Sequence, residues 1–516
     1  MKKRLVAMLL ATALLATACG SGGEKTQTDG GEDKGASATL GIKEEKAEWK
    51  GEELGVFEAE TGTQTGNARV DSSITGYSGE GYVTGFENDD DTASVEIQVA
   101  ADDFYDLQVK VASLGGYKEN YLYVDGQMVG SLALDNDVFR TITMEHVYLT
   151  AGTHTVTIKK NWGWIAWDKV TVTTAEPFDA GIYEVSAKLI NPNASENAKR
   201  VMSYLVDNYG KNVISGQYCD AGMYGAEMHM IWKETGKFPA MLGLDMGDYT
   251  PSRVENGTVG KSIDQAIEAW EDGAIITMCW HWNAPSEYIT GTWYSAFYKE
   301  HTSINLDKIM SGKDEKGYNL LIEDMDAIAK ELKRLQELDI PVLWRPLHEA
   351  SGGWFWWGNC KAESYLELYK LMYDKFTNEY GLNNLIWVWN GQNAEWYPGD
   401  EYVDIVGEDI YPGYRVYTSQ YPKYMEAYDY TGVKKMVVLS ENGCLMDPEL
   451  MARDGAMWGY FGTWGGDFVY KKGLVNLYSE EYTELDMLKK VYQHELVITK
   501  DELPDLKTYP IREEAM

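Results

Sequence analysis

From about Ala194 onward, short apolar runs alternate with amphipathic helical patterns, and this alternation leaves few folds open to the chain. The runs lie at 212–218, 238–246, 274–282, 340–347, 385–390, 403–411, 436–441 and 458–464. A strand that is apolar throughout is covered on both faces, as in a parallel sheet flanked by helices; a one-sided sheet would alternate polar and apolar residues. Eight such units in roughly 300 residues predict an α/β protein with a closed (β/α)8 TIM barrel. In that architecture the chemistry sits at the C-terminal strand ends. Asp245, His281, Glu349, Asn390, Asp409, Tyr411 and Glu441 all fall there.

Upstream the texture differs. Alternating runs at 94–99, 105–111, 120–124 and 154–159 are separated by Gly, Asp and Asn turns, which predicts an all-β sandwich over 55–175. Residues 176–193 read as a linker and 194–500 as the barrel domain. A chain of 516 residues requires more than one core.

Lys2, Lys3 and Arg4 precede an apolar stretch at 5–15 that is too short to span a bilayer, so 1–18 reads as an export signal. Ala16-Thr17-Ala18-Cys19 resembles a bacterial lipoprotein signal with Cys19 as the lipidated first residue; cleavage near Ala18 by an ordinary signal peptidase, giving a secreted form, is the alternative. Residues 19–54, rich in Gly, Ser, Thr, Lys and Glu, read as a flexible tether. Attachment to a cell surface is expected only through that lipid. The formal net charge of −35 repels phosphate and argues against nucleic acid as a partner. A neutral polymer is not repelled, and the 18 Trp and 36 Tyr supply rings that stack on sugars, although most of them fill cores. Cys219, Cys279, Cys360 and Cys444 allow three complete pairings and show no CxxC spacing, so free thiols are expected.

The run Trp344-Arg345-Pro346-Leu347-His348-Glu349-Ala350-Ser351-Gly352-Gly353-Trp354-Phe355-Trp356-Trp357-Gly358 ends a strand on His and Glu, followed by a glycine pair and an aromatic cluster. A carboxylic acid beside aromatic rings has its pKa raised by desolvation, which suits a general acid. A second strand ends in Val438-Leu439-Ser440-Glu441-Asn442-Gly443, three strands later. Two carboxylates about 5–5.5 Å apart across a glycosidic bond hydrolyse it with retention, and the fourth and seventh strands face each other across a small barrel. Glu408, Glu287 and Glu395 are nearby acids without such a partner.

HEASGGWFWWG together with SENG resembles glycoside hydrolase family 26, the mannanase family among retaining barrel enzymes. By that resemblance Glu349 is the acid/base and Glu441 the nucleophile, with no cofactor. His348 and His281 contact the reacting sugar, Trp354 stacks on it, and Asp409 and Tyr411 form a pair near the nucleophile. Trp464 floors the cleaved site, and Trp293 lines a neighbouring subsite. Val56-Phe57-Glu58-Ala59-Glu60, residues 76–83 and the closing stretch 161–170 resemble carbohydrate-binding module family 35. That likeness implies a structural calcium on Glu58, Glu60 and Asp168, whose hard oxygens suit the ion. Trp162 and Trp164 are candidate ligand contacts, and one of them, with Trp167, is alternatively core.

The expected activity is a retaining endo-β-1,4-mannanase acting on β-mannan or a related neutral polysaccharide. Mixed-linkage β-glucan and β-1,3-xylan are alternative substrates within the same family. A non-catalytic glycan-capture lipoprotein would need no carboxylate pair, and a metal-dependent deacetylase or lyase would need a His/Asp ligand cluster.

Overall fold

The computed structural model describes residues 43, 49–113, 115–134, 137–471 and 473–516. The predicted export signal, Cys19 and most of the predicted tether lie outside the described residues. Eight parallel strands form the barrel: β1 (Val213–Tyr218), β2 (Met241–Asp245), β3 (Ile275–Cys279), β4 (Val342–Arg345), β5 (Leu385–Trp389), β6 (Ile405–Ile410), β7 (Met436–Asn442) and β8 (Tyr460–Thr463). β1 pairs with both β2 and β8, which closes the sheet. Every residue of β1, β3, β5 and β6 is buried, because helices cover the outside and side chains fill the inside. The helix Glu315–Glu337 shows the pattern that makes this possible. Leu321, Met325, Ile328 and Leu332 recur at helical spacing on its buried face, and the Asp314 carboxylate caps its start by accepting from the Gly317 amide.

The sandwich packs two antiparallel sheets. One contains Arg69–Asp71, Tyr82–Thr84, Ile165–Thr174, Asp103–Ser113 and Arg140–Leu149, with Glu53–Glu58 also laid along Ile165–Thr174. The other contains Thr63–Thr65, Thr92–Val99, Gly152–Trp162, Lys118–Val124 and Gln127–Leu134. Their facing residues, among them Ile97, Leu107, Val109, Val156, Ile158 and Trp167, form one apolar core. Where the sandwich meets the barrel, the His146 ring lies between Phe104 at 3.8 Å and Tyr421 at 4.2 Å.

Three expected boundaries move. The first sandwich strand begins at Glu53, and Trp49 already donates to the Thr174 carbonyl, so the tether ends before residue 54. Residues 176–193 are not a free linker, since Ile182, Val185, Ala187 and Leu189 are buried in the barrel core. The barrel also extends past 500: Arg512 pairs with Asp207, Tyr509 donates to the same carboxylate, and Ala515 is buried.

Candidate active site

The sequence-derived residues converge at the C-terminal mouth of the barrel around an arginine. β4 is an apolar strand whose last residue is Arg345, wholly buried. A guanidinium cannot be stripped of water without partners. Arg345 finds them across the barrel: Nη1 donates to Asp409 Oδ2 at 2.7 Å and Nη2 to Glu441 Oε1. Asp409 and Glu441 face it together because the β6–β7 pairing slips. Glu408 opposes Leu439, then Asp409 opposes Glu441, leaving Ser440 as an extra residue in a bulge. The Ser440 hydroxyl turns this irregularity to use by donating to Asp409 Oδ1 at 2.7 Å.

Glu349 is not at a strand end, as the sequence suggested, but four residues past one. Pro346 follows the end of β4, and Leu347 and Glu349 both take left-handed backbone conformations (φ 51° and 53°). Such geometry costs of order 1 kcal/mol or more per residue, and it is held here by the Glu349 amide, which donates to the carbonyl of Asn390 at 2.7 Å. The strained turn delivers the Glu349 carboxyl to the cleft. One oxygen each from Glu349, Asp409 and Glu441 lie within 4.8 Å of one another, a spacing close to that of a retaining carboxylate pair.

Glu349 and Glu441 have different surroundings. Burial, together with the charges of Asp409 and Glu441, raises the Glu349 pKa well above the carboxylate range, and its carboxylate accepts from Trp354 Nε1 at 2.8 Å. Glu441 accepts on both oxygens, from Arg345 and from the Tyr411 hydroxyl at 2.7 Å. The site therefore holds one carboxyl biased to keep its proton and one clamped by a guanidinium and a hydroxyl. Asp409 is also raised by burial, against the pull of Arg345. Neutralising it removes an anion beside Glu349, so Asp409→Asn should move the alkaline limb of the kcat/KM profile to lower pH. An unmoved or rising limb would contradict this electrostatic coupling.

A histidine pair forms the opposite wall. His281 Nδ1 donates to Asp245 Oδ2 at 2.7 Å, and its Nε2 faces His348 Nε2 at 3.3 Å. Burial, reinforced by Arg345 and His281, holds the His348 pKa well below the usual histidine value, so His348 is neutral and polar toward the cleft. Asp245, Cys279 and His281 also bring one atom each within 4.8 Å of one another, but Asp245 is committed to the His281 ring and to the amides of His281 and Gly247. Trp464 packs between Tyr218 (4.8 Å) and His281 (5.7 Å). Trp293 stands on an exposed turn, edge-on to Tyr294 at 5.8 Å, and its carbonyl accepts from Asn283 two residues beyond His281.

Sequence reasoning left three contributors without a role. Arg345 carried a signal, a charge inside an apolar run, but its role depends on partners from β6 and β7. Asp245, noted only as a strand-end polar residue, orients His281. Tyr298, stacked on Phe355 at 5.5 Å, sits on a loop with no pattern to mark it. Glu408 faces away from this cluster: its charged neighbours Lys423 and Glu426 come from the outer helix Tyr421–Asp429, and burial raises its pKa to about 8. Cys219, Cys279, Cys360 and Cys444 are free thiols.

In the sandwich, Trp162 and Trp164 are 64% and 56% exposed while Trp167 is fully buried, so both of the first two rings are available to a ligand. Trp164 edges a cavity of about 190 Å³ lined also by Arg69, Asp71, Tyr82 and Glu87. Glu58, Glu60 and Asp168 meet around the turn Ser78-Gly79-Glu80. The Ser78 hydroxyl donates to Glu58 at 2.9 Å, the Ser78 amide to Asp168 at 2.8 Å, and the Glu80 amide to Glu60 at 2.8 Å. Among the described residues, Glu60 Oε2 is buried without a partner, and Lys110 pairs with Asp168 at 2.8 Å.

Residues 190–502 match the model of glycosyl hydrolase family 26, and 55–175 match that of carbohydrate binding module family 35. A mannan endo-1,4-beta-mannosidase from Thermothelomyces thermophilus is 37% identical over 87% of this chain and 90% of its own length. Among solved structures, a GH26-CBM35 β-(1,4)-mannanase from Podospora anserina is 36% identical with a TM-score of 0.62, covering 88% of this chain and 99% of that one. A ruminal GH26 endo-β-1,4-mannanase is 29% identical with a TM-score of 0.63, covering 89% and 99%.

Proposed function

The chain belongs to glycosyl hydrolase family 26, and on that footing we propose that it is a retaining endo-β-1,4-mannanase whose sandwich holds the mannan that its barrel cuts. The observation that carries this reading is the carboxylate pair, close in space and opposite in environment. Glu441 attacks the anomeric carbon as Glu349 gives its proton to the departing glycosidic oxygen; the C–O bond breaks and a glycosyl ester forms on Glu441. Glu349, now a carboxylate, takes a proton from water, whose oxygen attacks the same carbon and frees Glu441. Arg345 and Tyr411 hold Glu441 in place, while His281, His348, Trp354 and Trp464 surround the reacting sugar.

Digestion of β-mannan, mixed-linkage β-glucan and β-1,3-xylan, with the products sized, tests the substrate. Internal cleavage of mannan into oligosaccharides of mixed length is expected. Cleavage of glucan or xylan with mannan left intact would overturn the assignment.

Two further parts of the reading concern the module and the N-terminus. A calcium ion would sit against the Glu58, Glu60 and Asp168 carboxylates, where Glu60 Oε2 is an orphaned buried acceptor of the hard type the ion prefers. A chelator should then lower the unfolding temperature of the sandwich and added calcium restore it, whereas an unchanged transition would exclude the site. Export with lipidation at Cys19 would place the enzyme on the cell surface; the Cys19→Ser protein should lose its acyl group and partition into the aqueous phase.

A further inference from the structure

We propose that an aromatic shelf running outward from the nucleophile, Tyr411–Phe468–Tyr482–Tyr414, is a distal subsite that stacks sugar units of the mannan chain beyond those at the carboxylate pair. The proposal rests on the mannanase reading above and extends it to a surface contributed by the loops after β6 and β8.

The shelf starts inside the cleft. Tyr411, whose hydroxyl donates to Glu441, has a ring that is substantially exposed and lies 5.4 Å from Phe468. Phe468 is 4.4 Å from Tyr482, and Tyr482 stacks on Tyr414 at 5.1 Å with 30° between the planes. The row is built into the fold at the Ser-Glu-Asn-Gly motif. A Cβ on Gly443 would lie 2.7 Å from a Phe468 ring carbon and 2.8 Å from a Tyr411 ring carbon, so the residue two places after the nucleophile must be glycine for those rings to close over it. The far end is pinned as firmly. The Arg415 amide donates to the Tyr482 carbonyl at 2.9 Å, and its guanidinium donates twice to the Glu480 carbonyl and once to Glu484.

Tyr414 does little for packing. It is 64% exposed and meets Tyr482 on one face, so a large ring is held out to water at the end of a rigid aromatic row. An isolated exposed tyrosine needs no explanation, but one continuous with the cleft and backed by a second ring offers a preorganised platform for an apolar sugar face. Its occupant is the substrate chain itself, because the row is continuous with the residue that holds the nucleophile.

The test is calorimetric titration of mannohexaose and mannotriose into the full chain carrying Glu441→Gln, alone and combined with Tyr414→Ala or Tyr414→Phe. Tyr414→Ala should weaken mannohexaose roughly five- to tenfold, leave mannotriose affinity as it is in the parent, and keep the parent's unfolding temperature; Tyr414→Phe should retain the parent's hexaose affinity. Unchanged hexaose affinity in Tyr414→Ala, or equal losses for both oligosaccharides, would overturn the shelf while leaving the mannanase reading standing. A parent that binds neither oligosaccharide, yet is folded, would overturn both.

Discussion

Replacing Glu441 with alanine should reduce kcat on β-mannan by roughly 10⁴–10⁶-fold while the protein stays folded. Glu349→Ala should behave differently. Protonating a poor leaving group contributes about 10²–10⁴-fold, so mannan hydrolysis falls by that much. An aryl mannoside whose phenolate leaves without help should still glycosylate Glu441 at nearly the parental rate. The asymmetry follows from geometry: Glu441 is anchored on both oxygens by Arg345 and Tyr411, whereas Glu349 accepts from Trp354 on one oxygen. Burst kinetics with the aryl substrate separates the two variants. Equal losses in both would mean that the roles are not divided as proposed.

Arg345→Met is expected to be the most destabilising single change at the site. It leaves two buried carboxylates without their shared counter-charge, a situation that costs about 3–5 kcal/mol, and should also lower kcat by roughly 10²–10³-fold by freeing Glu441. The deficit should depend on pH in a fixed direction. Asp409 is already raised in the folded protein, chiefly by burial, so its contribution to stability is complete below the ordinary carboxylate value of about 3.9 and declines as pH rises through the folded value. Removing the guanidinium raises that folded value further. The variant should therefore be nearest the parent at acid pH and fall away toward neutrality, as read from denaturation midpoints at several pH values. A deficit that grows on acidification would contradict the arrangement.

The barrel was legible because its signal is local: a strand covered on both faces must be apolar along its length, and all eight runs became strands, each beginning or ending within a few residues of its run. The carboxylates were legible because each lies in a short run whose residue types make sense together. What was not legible depends on contacts between strands. The bulge at Ser440 is set by how β6 and β7 pair, and the role of Arg345 by which carboxylates that bulge turns inward. Trp162 and Trp164 could not be told from core by type, since Trp167, three residues after the second of them, is wholly buried. The segment 176–193 read as a linker because it falls between the two repeating textures, yet its Ile182, Val185, Ala187 and Leu189 are buried against the barrel.

The mechanism turns on which carboxylate becomes bonded to the sugar. Incubating the enzyme with a 2-deoxy-2-fluoro-β-mannobiosyl fluoride, then digesting it and locating the added mass by tandem mass spectrometry, reads this directly. A stoichiometric adduct on Glu441, formed with loss of activity and absent from Glu441→Ala, is the predicted result. An adduct on Glu349, Glu408 or Asp409, or turnover of the reagent with no covalent species on any residue, would contradict it.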